Sequence, residues 1–408
     1  MKQEPIIAAL DIGTSKVACL VAEPRGSSLD IIGVGTAESR GLKKGVVVDI
    51  GAVIECVEKA VGDAETMCGR TLEFASIGVT GSHVTGEIIE GMIVVQGREI
   101  ATEDITRVLD AAQAGRSLPA DREVLHIEPL EFIVDNQRGI REPIGMAGKR
   151  LSAHVHLITA NSSSVANLGR ACNAVGVQVQ ARVPQPLASA MAVLQPHERD
   201  LGVALVDIGG GTTDIAIYAD GALRHVHVIN VAGAHFTNDL LIGLRTTPVA
   251  AKKLKETSGI AFRELLTQDE EVEVPNAGGQ GSRKALRSDL LHILGPRAQE
   301  LLMLVRTHLE ETGWINRIPG GLVLTGGGAE LTGIVELAQS MFDTPVRKGK
   351  PMGVGGLADI VSHPSYATAI GLLLYAAAHP EVGGTGAQGL QLGQAMDRLK
   401  AWFANLFN

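Results

Sequence analysis

The sequence predicts an α/β chain built from two related halves. Strand-like apolar runs alternate with helical spacing along its length. One local grammar, strand, aspartate, glycine turn, strand, occurs twice, at Asp11-Ile12-Gly13-Thr14-Ser15 and at Asp207-Ile208-Gly209-Gly210-Gly211-Thr212, nearly half the chain apart. Internal duplication of a domain is the simplest cause. A third glycine cluster, Gly326-Gly327-Gly328, follows the strand-like Leu322 to Thr325 and leads into a helical pattern from near Leu331.

Composition bounds the class. A chain of 408 residues, 45% hydrophobic and 20% charged, is globular and large enough for two or more cores. The net charge of -9, from 36 basic against 45 acidic residues, offers nucleic acid no broad attraction. Cys19, Cys56, Cys68 and Cys172 show no CxxC or finger spacing and sit among apolar neighbours, so they read as core residues in a reducing compartment. The opening "MKQEPIIAALDIG" runs straight into a strand-like segment instead of a leader, which predicts a cytoplasmic protein. "ATAIGLLLYAAA" at 367 to 378 is shorter than the roughly 20 apolar residues that span a bilayer, and reads as a buried helix.

Taken in order, "IIAAL" and "KVACLVAE" flank "DIGTS" as two strands of a hairpin. Helical spacing marks 49 to 69, 102 to 115, 163 to 176 and 288 to 313, with "VLHIEPLEFIV" and "SAHVHLITA" as strands between. Residues 380–393 carry five glycines and little pattern, a flexible linker. Beyond it, Met396, Leu399, Trp402, Phe403, Leu406 and Phe407 share one helical face, opposite Asp397, Arg398, Lys400 and Asn405.

The glycine turns carry the chemistry. Phosphate oxygens need close donors, and a glycine turn presents backbone N–H groups with no Cβ in the way, with Thr and Ser hydroxyls beside them. Asp11 and Asp207 at the mouths of two such turns would repel a bare triphosphate, but suit one whose Mg²⁺ they reach through water. One Gly-Thr hairpin is usually only a hairpin. Two facing hairpins would grip a polyphosphate from both sides, and the third turn, at a helix N-terminus, suits the α-phosphate and sugar end. The implied ligand is a nucleoside triphosphate with Mg²⁺.

The motifs "DIGTSK", "DIGGGTTD", "LTGGGAEL" and "HPSYATAIGLL" resemble the actin/heat-shock-70/sugar-kinase superfamily. With "IIGVGTAESRGLKKGVVVDI", "RVLDAAQA", "VLHIEPLEFIVD", "AHVHLITA" and the amphipathic end, nearly the whole chain resembles the FtsA family of bacterial cell-division proteins. The resemblance implies an actin-like two-lobed ATPase fold of duplicated RNase H-like domains with an FtsA-type inserted subdomain. It implies a subdomain 1A at 1–84 and 163–196, an inserted interaction subdomain 1C at 85–162, a subdomain 2A at 197–246 and 321–379, and a subdomain 2B at 247–320. The linker would cover 380–393 and a membrane-targeting helix 394–408.

Carried over by position, the resemblance implies ATP and Mg²⁺ as ligands. Gly13, Thr14, Ser15 and Lys16 would form the first phosphate loop, Gly209, Gly210, Gly211, Thr212 and Thr213 the second. Gly326, Gly327 and Gly328 would face the adenosine, and Lys255 the ribose. At Lys252 the family usually carries glutamate, so this helix departs from the pattern; a basic solvated face is the other reading. Gln185 precedes Pro186 as the water-orienting residue of the superfamily precedes its proline; glutamine positions water but is a poor base, which suggests slow turnover at most. The alternative is a surface-loop glutamine between two prolines.

Residues 85–162 show no convergent His, Cys or carboxylate cluster, and His126, His154 and His156 read as core or edge residues. Of two tryptophans and seven phenylalanines, Trp402, Phe403 and Phe407 crowd the last seven positions. The glycine linker argues against self-docking, and Trp with flanking Arg398 and Lys400 favours an anionic membrane surface over a partner's groove. The family implies the same, together with self-assembly into filaments on the cytoplasmic face of the inner membrane, tethering of the C-terminal peptide of the tubulin-like FtsZ, and recruitment of later division membrane proteins. Arg283, Lys284, Arg287 and Arg297 would meet that acidic peptide, with a solvated basic face as the alternative. Rivals from the same superfamily are a pilus-assembly ATPase, a sugar kinase and a chaperone. No sugar-pocket aspartate motif stands out, and about thirty residues after position 378 leave no room for a chaperone's peptide-binding domain.

Overall fold

The computed structural model describes residues 5–379 except 27, 98, 279 and 280. The expected linker and terminal helix, with Met396, Leu399, Trp402, Phe403, Leu406 and Phe407, lie outside the described residues.

Two sheets repeat one plan. In the first, Ser28–Glu38, Lys16–Arg25 and Ile7–Ile12 form an antiparallel meander, and Phe74–Val79 and then Gln178–Pro184 add in parallel. In the second, Ala222–Ile229, Thr213–Ala219 and Val203–Ile208 form the same meander, extended in parallel by Leu322–Thr325 and Val346–Lys348. The apolar, β-branched strands are buried on both faces, as parallel-sheet strands in α/β proteins are. One core cluster lies within the second half, and the other fills the first half and continues onto the second sheet through Leu205, Ala216 and Tyr218.

The helices follow the spacing that predicted them. Ile50–Cys68 starts on Asp49, whose carboxylate accepts from Ala52 N–H, and stops at Gly69 in the left-handed region, φ 68°. Between Phe74–Val79 and the helix Ser162–Ala174 a separate antiparallel sheet is inserted, in the order Thr85–Val94, Arg150–Asn161, Arg122–Val134, Gln137–Ile140. The helix Thr102–Ala114 covers one face of it, packing Ile105, Val108, Leu109 and Ala112 on Phe132, Leu151, Ala153 and Val155.

The second half carries the helices Gly233–Gly243 and Pro248–Ser258, the hairpin Glu271–Pro275 with Ser282–Leu286, and the long helix Arg287–Glu311. Among the described residues no helix is long and apolar enough to cross a membrane. The expected extent of subdomain 2A, 321–379, is divided by the structure. Val354–Gly356 pairs in parallel with Ser28–Glu38 in the first sheet, and the helix Ala367–Ala378 buries Ile370, Leu372, Leu373 and Tyr375 in the first half's core. Gly371 allows this, lying against the Ala188 backbone where a Cβ would overlap.

Histidines gather where the inserted sheet meets the second half. His156 is almost wholly buried and bonds through Nδ1 to Leu223 O at 2.9 Å. His225 and His308 face each other Nε2 to Nε2 at 2.8 Å, which allows one proton between them, and His227 stacks on His308. Burial lowers His156, His225 and His308 to about 4 from an ordinary 6.5, and neighbouring histidines push the same way. A depressed folded pKa leaves stability intact above the unfolded pKa and removes it as pH falls toward the folded one, here from 6.5 to about 4. The buried carboxylates described below have the opposite sign in the acidic range, so the expectation is comparative. His225→Gln, which keeps a hydrogen-bonding group at the Nε2 position, should gain thermal midpoint over wild type as pH falls below 6.5; parallel pH profiles would contradict it.

Candidate functional site

The two matching hairpins meet. Each turn closes the same way, Gly13 N–H on Lys16 O at 3.0 Å and Gly209 N–H on Thr212 O at 3.0 Å, so the duplication extends to the backbone bond. Across the interface, a Cβ on Gly210 would overlap Ser15 Oγ and lie 2.7 Å from Ser15 Cβ, and one on Gly211 would lie 2.5 Å from Thr14 Oγ1. The second turn is braced from behind, since Gly209 O and Gly210 O accept from Gly233 and Ala234 N–H at the start of the helix Gly233–Gly243. Lys255 holds that helix, donating to Gly233 O at 3.1 Å and Thr237 Oγ1 at 3.0 Å. Its ammonium is lowered in pKa chiefly by burial.

Beneath the turns stand three buried carboxylates. Asp11 is the penultimate residue of the strand Ile7–Ile12, and Asp207 occupies the matching place in Val203–Ile208. Asp214, opposite Asp207 in the hairpin register, is the third; the matching position opposite Asp11 is Ala18. Burial raises Asp11 to about 7, Lys16 opposing and Asp207 adding. It raises Asp214 to about 8, with Asp207 and Asp11 as like charges. Asp207 is also raised by burial, against hydrogen bonds from Ser189 at 2.5 Å and Thr368 at 3.3 Å. Thr80 Oγ1 lies 2.8 and 2.7 Å from the two oxygens of Asp214, a bond between the halves. Sequence reasoning missed Asp214. The signal was a lone carboxylate in the otherwise apolar strand "TDIAIYA", costly to bury without a purpose.

The other expected site residues divide. Gln185 is buried at the start of the helix Gln185–Val193 and donates through Nε2 to Asp11 Oδ1 at 3.2 Å, so the surface-loop alternative falls. Lys16 reaches past its own turn to Ser365, 3.2 Å from the carbonyl and 3.1 Å from Oγ, and lies over the Tyr366 ring. Burial lowers its ammonium to about 8, with Asp11 opposing.

Of the third turn, Gly326 has φ 81° and a Cβ there would overlap Asp207 Oδ1, while one on Gly328 would overlap Ile208 Cγ2. These two glycines let the turn pack on the strand Val203–Ile208, and of the three only Gly327 has open space, its nearest neighbour Ser365 Cβ at 3.7 Å. The helix expected from Leu331 starts at Ile334, after a single 3₁₀ turn at Gly327–Glu330, so no helix dipole points from these glycines.

The four basic residues expected to meet a partner are engaged within the second half. Arg297 forks onto Asp239 at 2.6 and 3.1 Å and contacts Glu300, and Arg283 donates to Leu244 O at 2.5 Å. Arg287 donates to Ser258 O at 3.1 Å, and Lys284 pairs with Glu271 across the exposed hairpin.

A family model described as "Cell division protein FtsA" matches residues 204–371, and one described as "SHS2 domain inserted in FTSA" matches 81–159, the inserted sheet with its helix. A cell division protein FtsA from Pseudomonas aeruginosa is 43% identical over 91% of this chain and 89% of its own length. The chain belongs to the FtsA family. Its Neisseria meningitidis relative is 40% identical over the full length of both chains, and the Escherichia coli one 40% identical over 91% of this chain and 90% of its own.

Solved structures too distant in sequence to show more than fold agree on architecture. A PilM-PilN type IV pilus biogenesis complex superposes with TM-score 0.67 at 18% identity, over 90% of this chain and 98% of that one. MreB5 of Spiroplasma citri bound to ADP superposes with TM-score 0.56 at 15% identity, over 91% and 95%. The fold is that of the actin-like ATPases with the SHS2 domain of FtsA inserted, and this FtsA-family chain is an actin-like cell-division protein.

Proposed function

We propose that the chain binds magnesium-ATP in the cleft between its halves, assembles into filaments on the cytoplasmic face of the inner membrane, tethers FtsZ there and recruits later division proteins. The observation that carries the nucleotide reading is the pair of opposed glycine turns above buried carboxylates. The residues fit the ligand. The turns offer backbone N–H groups and the hydroxyls of Thr14 and Ser15 to phosphate oxygens, whereas the expected donor Thr213 is fully buried and gives its hydroxyl to Val231 O at 2.7 Å, and Thr212 is hydrogen-bonded to Asp214. Among the described residues no three His, Cys, Asp or Glu are grouped to hold a metal directly. Asp11, Asp207 and Asp214 would hold a magnesium ion through its water shell. When bound, the ion offsets the phosphate charge that the carboxylates would otherwise repel.

Ser189 and Thr368 orient Asp207, and Thr80 orients Asp214. Gln185, held beside Asp11, is neutral and can place a water without taking its proton, consistent with slow turnover. Lys255 supports the second turn from behind, a role in keeping with its bonds to Gly233 and Thr237.

Family membership supports the division partners, and the amphipathic sequence at 394–408 supports the membrane. One such helix binds lipid weakly, so filaments supply the copies that make attachment firm. An acidic FtsZ peptide meeting Arg283, Arg287 and Arg297 competes with their internal bonds, whereas Lys284 is mostly exposed. The test is co-sedimentation with phosphatidylglycerol-containing liposomes, with and without magnesium-ATP and FtsZ. The full chain is expected to pellet and to carry FtsZ with it. The chain lacking 394–408 is expected to stay in the supernatant while still binding a fluorescent ATP analogue; unchanged pelleting would remove the membrane reading.

A further inference from the structure

The two halves touch at the floor of the cleft through Thr80 and Asp214, through Ser189 and Asp207, and through the facing turns. Among the further contacts between the halves is an exposed ion pair beside the turns. Lys252 Nζ of the second half lies 2.9 Å from Glu38 Oε1 of the first, with side-chain exposures of 44% and 75%.

Each partner is tied to one of the turns. Glu38 ends the strand Ser28–Glu38 directly opposite Lys16, and the next residue, Ser39, donates its N–H to Ser15 O at 3.2 Å. Lys252 precedes Lys255 by one helical turn on Pro248–Ser258, so the two share a face. Lys255 fastens that face to Gly233, whose N–H holds Gly209 O. The ion pair therefore spans the groove beside the opposed turns, anchored to one of them at each end.

We propose that Lys252 and Glu38 form a clasp across the mouth of the cleft that slows the release of bound nucleotide. The proposal rests on the nucleotide reading above and adds a control of its off-rate. Separation of the halves, needed for a ligand gripped from both sides to leave, must break this pair. Lys252 also holds Glu38 below the ordinary carboxylate range by hydrogen bond and charge, which keeps the pair ionised at neutral pH. Arg40 lies near Glu38 but is paired with Glu55, so Lys252 is the cation hydrogen-bonded to it.

The experiment is stopped-flow dissociation of a fluorescent ATP analogue, chased with excess ATP, from the full chain and from Lys252→Glu, Glu38→Lys and the double exchange. An exposed pair is worth little, so each single change is expected to speed release only roughly two- to fivefold. The double exchange rebuilds the pair with reversed polarity and should return the rate to near wild type. Raising salt from about 0.05 to about 0.5 M should speed wild-type release toward the single variants, because exposed charges are screened. Unchanged rates in the single variants, or a double exchange as fast as they are, would overturn the clasp while leaving the nucleotide reading intact. A wild-type chain that takes up no analogue would overturn that reading and the clasp together.

Discussion

Gly210→Val is expected to bind magnesium-ATP at least about a hundredfold more weakly than wild type, a loss of about 3 kcal/mol, while its thermal midpoint stays close to the original. Gly210 is not among the glycines at positive φ, so its own backbone conformation tolerates a side chain. What lacks room is the other half, where a Cβ would overlap Ser15 Oγ and sit 3.1 Å from Ser15 N. The cheapest relief is to part the two turns, which undoes the grip on a phosphate without unfolding either sheet. Gly210→Ala should lose less than valine, and adding Ser15→Gly should recover part of the loss by removing the atoms the new Cβ meets. Titration of a fluorescent ATP analogue with a parallel melt decides it; full affinity in Gly210→Val would mean that the turns do not close on the ligand together.

Gly371→Val is expected to destabilise the fold by about 3 kcal/mol, the upper range for overpacking a well-filled interior. The helix Ala367–Ala378 crosses Gln185–Val193 so closely that a Cβ at 371 would overlap the carbonyl of Ala188 and lie 3.0 Å from Ala188 Cα. Backbone cannot swing aside as a side-chain tip can, so the helices must separate. These same helices bring Ser189 and Thr368, 2.9 Å apart, onto Asp207. The substitution should therefore lower the thermal midpoint and weaken nucleotide binding together. A variant that melted like wild type would show that the crossing has slack.

Particular residues show how far the sequence could be read. Asp11 and Asp207 were legible because a charged residue before a glycine turn, between two apolar strands, has few structural uses, and the repeat made the pattern visible twice. Asp214 was not, because it falls inside a strand where a single carboxylate looks like an exposed residue. Its register opposite Asp207 and its like-charge neighbours exist only after the hairpin forms. Gly326 and Gly328 read as adenosine-facing glycines from the sequence, and what the structure adds is that a Cβ at either would meet Asp207 or Ile208, from a strand more than a hundred positions earlier. Lys16 was grouped with its turn, whereas its Nζ is held by Ser365 from the far end of the chain.

Local order was set by the sequence itself: hydrophobic period, caps such as Asp49 and Gly69, and hairpin turns act within a few residues, and so did the duplicated grammar that announced two halves. The return of Val354–Gly356 and Ala367–Ala378 to the first half, the meeting of Ser15 with Gly210 and the pairing of Lys252 with Glu38 were decided only in three dimensions. Such contacts depend on the exclusion of one chain segment by another and on charges brought together from distant positions, and neither leaves a periodic trace along the chain.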